Sequence, residues 1–346
     1  MLQRVIYAAA VLLALQLGLA VFLQVRSSSE LNAAPPDALF VSFDPAKITA
    51  VQISATDGKK VTLTKSGKSW LLPEVFSAPA DGGQLEALLR KVAEAKQGLA
   101  VASTKGAAKR FKTADKDFLR HIVFKEGDKA VADFYLGNSA GLRQSYARLA
   151  GKDEVVSLPI SDFEAEVEAD KWLNKGLAQL NQNDLKKVEL ADIVLTKKDK
   201  DWLLEGAAAG EASKEEINKA LERITGLAVQ GVVDPAQAEP LFKQPSATQF
   251  TATRNDGSKL TYALVKQADH YVLKTSASPL YLKIGSWQAD ELAKLKRADL
   301  LVKKEEKQAA ANNPAGAAPV ATQPEQQAIP PVPQSAQEPV KTEAAQ

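Results

Sequence analysis

The stretch LTKSGKSWLL (residues 63–72) returns about 130 positions later as LTKKDKDWLL (residues 195–204), with seven of ten positions identical around a tryptophan. The chain of 346 residues holds only four tryptophans, so a match centred on two of them marks an internal duplication. A repeat overlooked at this point mis-assigns everything downstream of it.

Working outward, AVQISATDGKKVTLTKSGKSWLL (50–72) reads as strand, turn, strand, turn, strand. Val51 and Ile53, then Val61 and Leu63, alternate with the period of a half-buried strand, and TDG and SG are hairpin-turn chemistry. Asp81 can cap a following helix, whose stripe is Leu85, Leu88, Leu89 and Val92 and whose end is expected at Gly98 in GLAV. The second copy keeps this order. KVELADIVLTKKDKDWLL (187–204) supplies strands, SKEE (213–216) a capping box, Ile217, Leu221 and Ile224 the stripe, and GLAV returns at 226–229.

The correspondence runs on through HIVFKEGDKAVADFYLG (121–137) with QFTATRNDGSKLTYALV (249–265), and SYARLAGKDEVVSLP (145–159) with HYVLKTSASPLYLKI (270–284), a hairpin each time. Both copies are then expected to enter a helix with a buried aromatic, Phe163 in SDFEAEV and Trp287 in SWQADEL. ADKWLNKGL and KRADLLVKK close the halves. The fold class is therefore α+β: two tandem repeats of a mostly antiparallel sheet with helices, at 44–176 and 177–307. Trp70 and Trp202, the repeat signature, are expected as core plugs whose indole N–H finds a carbonyl; a stacking platform for a sugar or peptide is the alternative.

Before the repeats, VIYAAAVLLALQLGLAVFL (5–23) carries no charge. A helix of that length spans roughly 28 Å, about one hydrocarbon thickness. The flank FLQVRSSSELN lacks the small residues of a cleavage site, so residues 1–26 read as an uncleaved signal anchor and 27–43 as a stalk. Ala10, Ala14 and Gly18 fall on one face at four-residue spacing, a candidate contact face for a second membrane helix. Residues 308–346, rich in Ala, Pro and Gln, have too few large apolar side chains to repay folding entropy and read as a disordered tail.

Composition narrows the chemistry. With no cysteine there is no thiol catalysis, disulfide or Cys-ligated metal, and two histidines, His121 and His270, leave little for metal or acid–base work. The charge balance, 44 basic against 42 acidic residues, carries no nucleic-acid footprint. GNSAG (137–141) is a formal G-x-S-x-G, but strand alternation follows Ser139 where a nucleophile elbow needs a helix and a parallel sheet. GKS (67–69) lacks the rest of a phosphate loop. No catalytic, cofactor or metal residues are expected, and a hydrolase acting through Ser139 is disfavoured.

The string WLLPEVFSAPAD (70–81) before a striped helix, with the anchor and the later LG…SYARL…VVSLP, resembles a family of uncharacterised bacterial envelope proteins, over approximately Val51 to Leu301. Such proteins are typically encoded beside gliding-motility-type (Gld-like) ABC-2 transporters and their large membrane-bound auxiliary subunit. The resemblance implies a non-enzymatic accessory module of an envelope ABC transport system, with a permease, ATPase or auxiliary subunit as partner. It would be single-pass in the bacterial inner membrane, with its bulk in the periplasm. The alternative is a periplasmic glycan- or lipid-binding protein using the cleft between the repeats.

Overall fold

The computed structural model describes residues 13, 15–19, 38–243 and 248–302. The first repeat contains β1 (Ala50–Ser54), β2 (Lys60–Ser66), β3 (Ser69–Leu72), β4 (Ala78–Pro79), helix α1 (Gly82–Glu94), short helix α2 (Lys105–Arg110), β5 (Thr113–Ala114), β6 (Asp117–Phe118), β7 (Arg120–Glu126), β8 (Lys129–Gly141), β9 (Gln144–Leu149) and β10 (Val156–Leu158). The second contains β11 (Leu185–Leu190), β12 (Ile193–Lys198), β13 (Asp201–Leu204), α3 (Lys214–Thr225), β14 (Val229–Val233), α4 (Pro235–Ala238), β15 (Thr248–Arg254), β16 (Lys259–Lys266), β17 (His270–Thr275), β18 (Ser278–Gly285) and α5 (Ser286–Ala293).

Each repeat builds one eight-stranded sheet. The first runs β10-β9-β8-β7-β1-β2-β3-β4; the second, read in the same direction, runs β14-β18-β17-β16-β15-β11-β12-β13. Seven strands thus keep one order in both, and the sheets differ at their edges. The alternating residues foreseen as inward-facing, Val51, Ile53, Val61 and Leu63, are fully buried, and the structure adds Leu72 and, in the second sheet, Val188, Ile193 and Leu195. Onto that face α1 lays Leu85, Leu88, Leu89 and Val92, and α3 lays Ile217, Ala220, Leu221 and Ile224. Asp81 and Ser213 cap these helices through the backbone N–H of Gln84 and Glu216.

Helix α1 stops at Glu94, short of Gly98, because the next residues pair with the chain ahead of β1: the Phe40 N–H reaches Ala95 O and the Gln97 N–H reaches Ala38 O, each at 2.8 Å. The repeated GLAV then does related work in each copy. In the second, Val229 starts β14 on the far side of β18. In the first, Val101 and Ala102 make only a bridge to Val155, just ahead of β10.

The join between repeats is filled. Ile160, Ala165, Val167, Trp172, Leu173 and Ala178 of the connector are buried in one hydrophobic core that includes residues of both sheets. On one side the Asp81 N–H donates to Trp172 O (2.7 Å) and Asn174 N–H to Pro79 O; on the other, Leu180 N–H donates to Thr225 O and Val229 N–H to Lys175 O. The second repeat closes on itself in the same manner, the Ser213 N–H donating to Leu300 O at 2.8 Å.

Two expectations are corrected. Phe163 and Trp287 are not buried; they are 66% and 80% exposed. Only a 3₁₀ turn (Asp162–Glu164) forms in the first copy, with Glu164 accepting from the Ser161 N–H and from Lys91 (2.6 Å), after which the chain extends into the join. The aromatic that fills the interior there is Trp172, fully buried, its indole N–H donating to Glu166 O at 2.8 Å.

Within the apolar N-terminal segment, residues 13 and 15–19 are helical and exposed. Ala10 and Ala14 lie outside the described residues, and Gly18 has nothing within 4 Å of where a Cβ would sit. Among the described residues no helix is long and apolar enough to cross a membrane. The tail at 308–346 also lies outside them.

Candidate functional site

The repeated phrase is a repeated strut. Lys65 faces Trp70 across β2 and β3, and Lys197 faces Trp202 across β12 and β13. Each ammonium lies over its indole, 5.6 Å and 6.0 Å from the ring centroid. Each also donates to a carbonyl in the 3₁₀ turn that precedes the repeat's first strand, Lys65 to Ala46 O and Lys197 to Gln182 O, both at 3.2 Å. One lysine thus ties the entry turn to the core plug, with a cation–π contribution of about 0.5–1 kcal/mol.

The tryptophans are core residues, 2% and 7% exposed, and offer no free ring face to a sugar. The expected carbonyl partner is missing at Trp70, whose buried indole nitrogen has no hydrogen-bond partner. The cause is local. A Cβ on Gly82 would lie 3.4 Å from Trp70 Cδ1, so this edge of the ring faces the first turn of α1, which presents N–H donors and no free carbonyl. Beside the ring lies a recess of about 310 Å³, lined by Pro45, Lys65, Glu86 and Arg90 among others.

Ser139 lies inside β8, where its hydroxyl donates to Gly141 O at 3.0 Å. Neither histidine is bonded to it: His121 Nε2 is 2.7 Å from Asp133 and His270 Nδ1 is 2.7 Å from Asp269. The glycine of the motif has a different purpose. A Cβ on Gly137 would overlap the Phe111 carbonyl oxygen and come within 2.7 Å of Lys112 O, because the segment after α2 rests on β8 there and Asn138 N–H donates to Phe111 O. Accordingly, a fluorophosphonate probe is expected to leave Ser139 unlabelled, and Ser139→Ala to shift stability by no more than about 0.5 kcal/mol. Labelling of wild type that disappears in Ser139→Ala would establish the hydrolase.

That covering segment seals the outer face of the first sheet. His121, Tyr135 and Arg148 stand side by side on β7, β8 and β9, in direct register. Arg148, 4% exposed, donates to Thr113 O and Lys152 O at 2.7 Å each and pairs with the Asp115 carboxylate. Phe118 packs on Tyr135 with centroids 5.2 Å apart. Burial first, then the Asp115 and Asp133 carboxylates, push the Tyr135 phenol above its ordinary pKa. The cluster holds aromatic, cationic and anionic groups, but it binds the protein's own hairpin. Among the described residues no group of three or more His, Asp or Glu could hold a metal ion.

What sequence reasoning missed is the surface. Phe163 and Trp287 each follow the last strand of their repeat, Phe163 in a 3₁₀ turn and Trp287 in the first turn of α5. In each copy the neighbouring segment is tied to the first long helix: Lys91 pairs with Glu164 (2.6 Å) and Arg223 with Glu291 (3.6 Å). A groove of about 290 Å³ runs between α3 and α5, lined by Lys219, Glu222, Arg223, Trp287, Gln288 and Glu291. The available signal was the polar flanks, since SDFE and SWQ surround one aromatic with nothing apolar.

No curated protein and no solved structure matches the chain. One family model, described as a domain of unknown function (DUF4340), matches residues 70–245; it opens on the signature tryptophan, passes through the connector and ends beyond α4 of the second repeat. With just over half of its length matched, the chain belongs to the DUF4340 family.

Proposed function

We propose that this protein is a membrane-anchored, non-catalytic interaction module of the bacterial envelope, an accessory component of an ABC-type transport system with its duplicated sheets in the periplasm. The observation that carries the reading is the contrast between inside and outside. Ser139, His121, His270 and Arg148 are bonded within the chain, while Phe163 and Trp287 stand exposed after the last strand of each repeat. Exposed tryptophan beside arginine is the composition of interface hot spots. The anchor is supported by the uncharged run at residues 5–23, and the transport context by the family resemblance.

A glycan- or lipid-binding envelope protein is the second reading, favoured by the recess beside Trp70. The filled join between repeats and the covered indoles count against it. Co-purification from native membranes separates the two. With a tag after Gln346, gentle crosslinking and mild detergent, an ABC permease and ATPase are expected at near-stoichiometric amounts. Recovery of the protein alone, where known complexes survive, would sink the transport reading in favour of the ligand-binding one.

A further inference from the structure

Each repeat has one outer face, and among the described residues only the first is covered by a hairpin. In the first, His121, Tyr135 and Arg148 are covered by the β5–β6 hairpin, which sets Asp115 on Arg148 and Phe118 on Tyr135. The shared strand order and register carry these positions to Gln249, Ala263 and Lys274 of the second repeat. There, among the described residues, the same face holds a depression of about 470 Å³, lined by Gln249, Thr251, Thr261, Ala263, Lys274 and Ser276 among others.

Part of the cover is common to both copies. Helix α2 puts Phe111 on Tyr146 of β9, with centroids 4.2 Å apart, and after α4 Phe242 packs on Tyr281 of β18 at 5.6 Å. The difference comes next. Eight residues separate Phe111 from β7, enough for a hairpin, whereas five separate Phe242 from β15. Where Tyr135 is large, Ala263 is small; where Arg148 is 4% exposed, Lys274 is exposed. Lys274 is held ready by Tyr281, whose hydroxyl accepts from its ammonium at 3.1 Å.

We infer that this face of the second repeat is a docking site for a segment of a partner protein that carries a carboxylate and an aromatic ring, a short hairpin that places the carboxylate on Lys274 and the ring over Ala263, as Asp115 and Phe118 do on Arg148 and Tyr135 within the first repeat. Thr251, Thr261 and Ser276 offer hydroxyls to its backbone. The inference deepens the interaction-module reading and rests on it, but its test needs no transporter.

The probe is a fluorescein-labelled, cyclised peptide with the sequence of residues 112–119, titrated against the full chain in detergent and followed by anisotropy. Saturable binding is expected, weakened by about tenfold or more by Lys274→Glu, by Thr261→Glu at an exposed position, and by aspartate-to-asparagine changes in the peptide. Lys274→Arg should retain binding. The inference is overturned by absence of saturable binding up to about 1 mM, or by binding indifferent to both glutamate variants. Failure here leaves the co-purification result untouched, and peptide binding would stand even if no transporter subunit were recovered.

Discussion

Gly137→Ala is expected to destabilise the protein by about 3 kcal/mol, although the same change at an unstrained, open position stabilises by about 0.4–1 kcal/mol. Gly137 is not among the positive-φ glycines, so its backbone alone would accept alanine. The obstacle is that the added methyl meets backbone, the Phe111 and Lys112 carbonyls, and no side chain that could swing away. Relief requires the segment after α2 to lift from β8. Lifting it breaks the Asn138 N–H bond to Phe111 O and loosens the bond from Arg148 to Thr113 O, leaving a cation that is 4% exposed short of acceptors. Gly106→Ala, in α2 with open space around it, is the control and should be neutral or slightly stabilising. Urea unfolding followed by tryptophan fluorescence reads both. A Gly137→Ala midpoint within error of wild type would mean that the segment after α2 does not press on β8 as described.

Gly137 also shows where the sequence was legible and where it was not. Inner faces were readable because their signals are local and redundant: the alternation of Val51, Ile53, Val61 and Leu63 and the stripe of Leu85, Leu88, Leu89 and Val92 point to one core. Helix starts were readable from Asp81 and Ser213. Outer faces were not, because their cover comes from a polar stretch and is held by backbone contact. A glycine inside a strand is the sign of such an approach, but in GNSAG the same residue also fits the G-x-S-x-G pattern, which hides it. The pairing of β1 with β7, Val51 against Phe124, joins segments far apart in the chain and has no local signature. Aromatics misled for a related reason. Phe163, Trp172 and Trp287 all sit in mixed, partly charged stretches, and composition alone does not say which ring faces inward. The interior ring is Trp172 in ADKWLNKGL, whose charged flanks give no sign of burial.

Trp172→Ala should therefore be the most damaging tryptophan substitution, at about 3–5 kcal/mol. The side chain is fully buried, and its removal leaves a cavity in the join while stripping Glu166 O of the indole N–H that satisfies it. The loss is also badly placed. The Trp172 carbonyl accepts the N–H of Asp81, the cap of α1, and the adjacent Leu173 bridges Ala80, so disorder at this point reaches the first repeat's helix directly. The same connector, through Lys175 and Leu180, holds Val229 and Thr225 of the second repeat. One continuous core predicts a single unfolding transition for the wild type, and weakening its centre should split that transition as the repeats lose their common support. Trp287→Ala, at 80% exposure, should cost no more than about 0.5 kcal/mol and leave the transition single. The pair is discriminating because composition treats the two rings alike. Were Trp287→Ala the costlier change, or Trp172→Ala nearly silent, the repeats would be joined by something other than the connector.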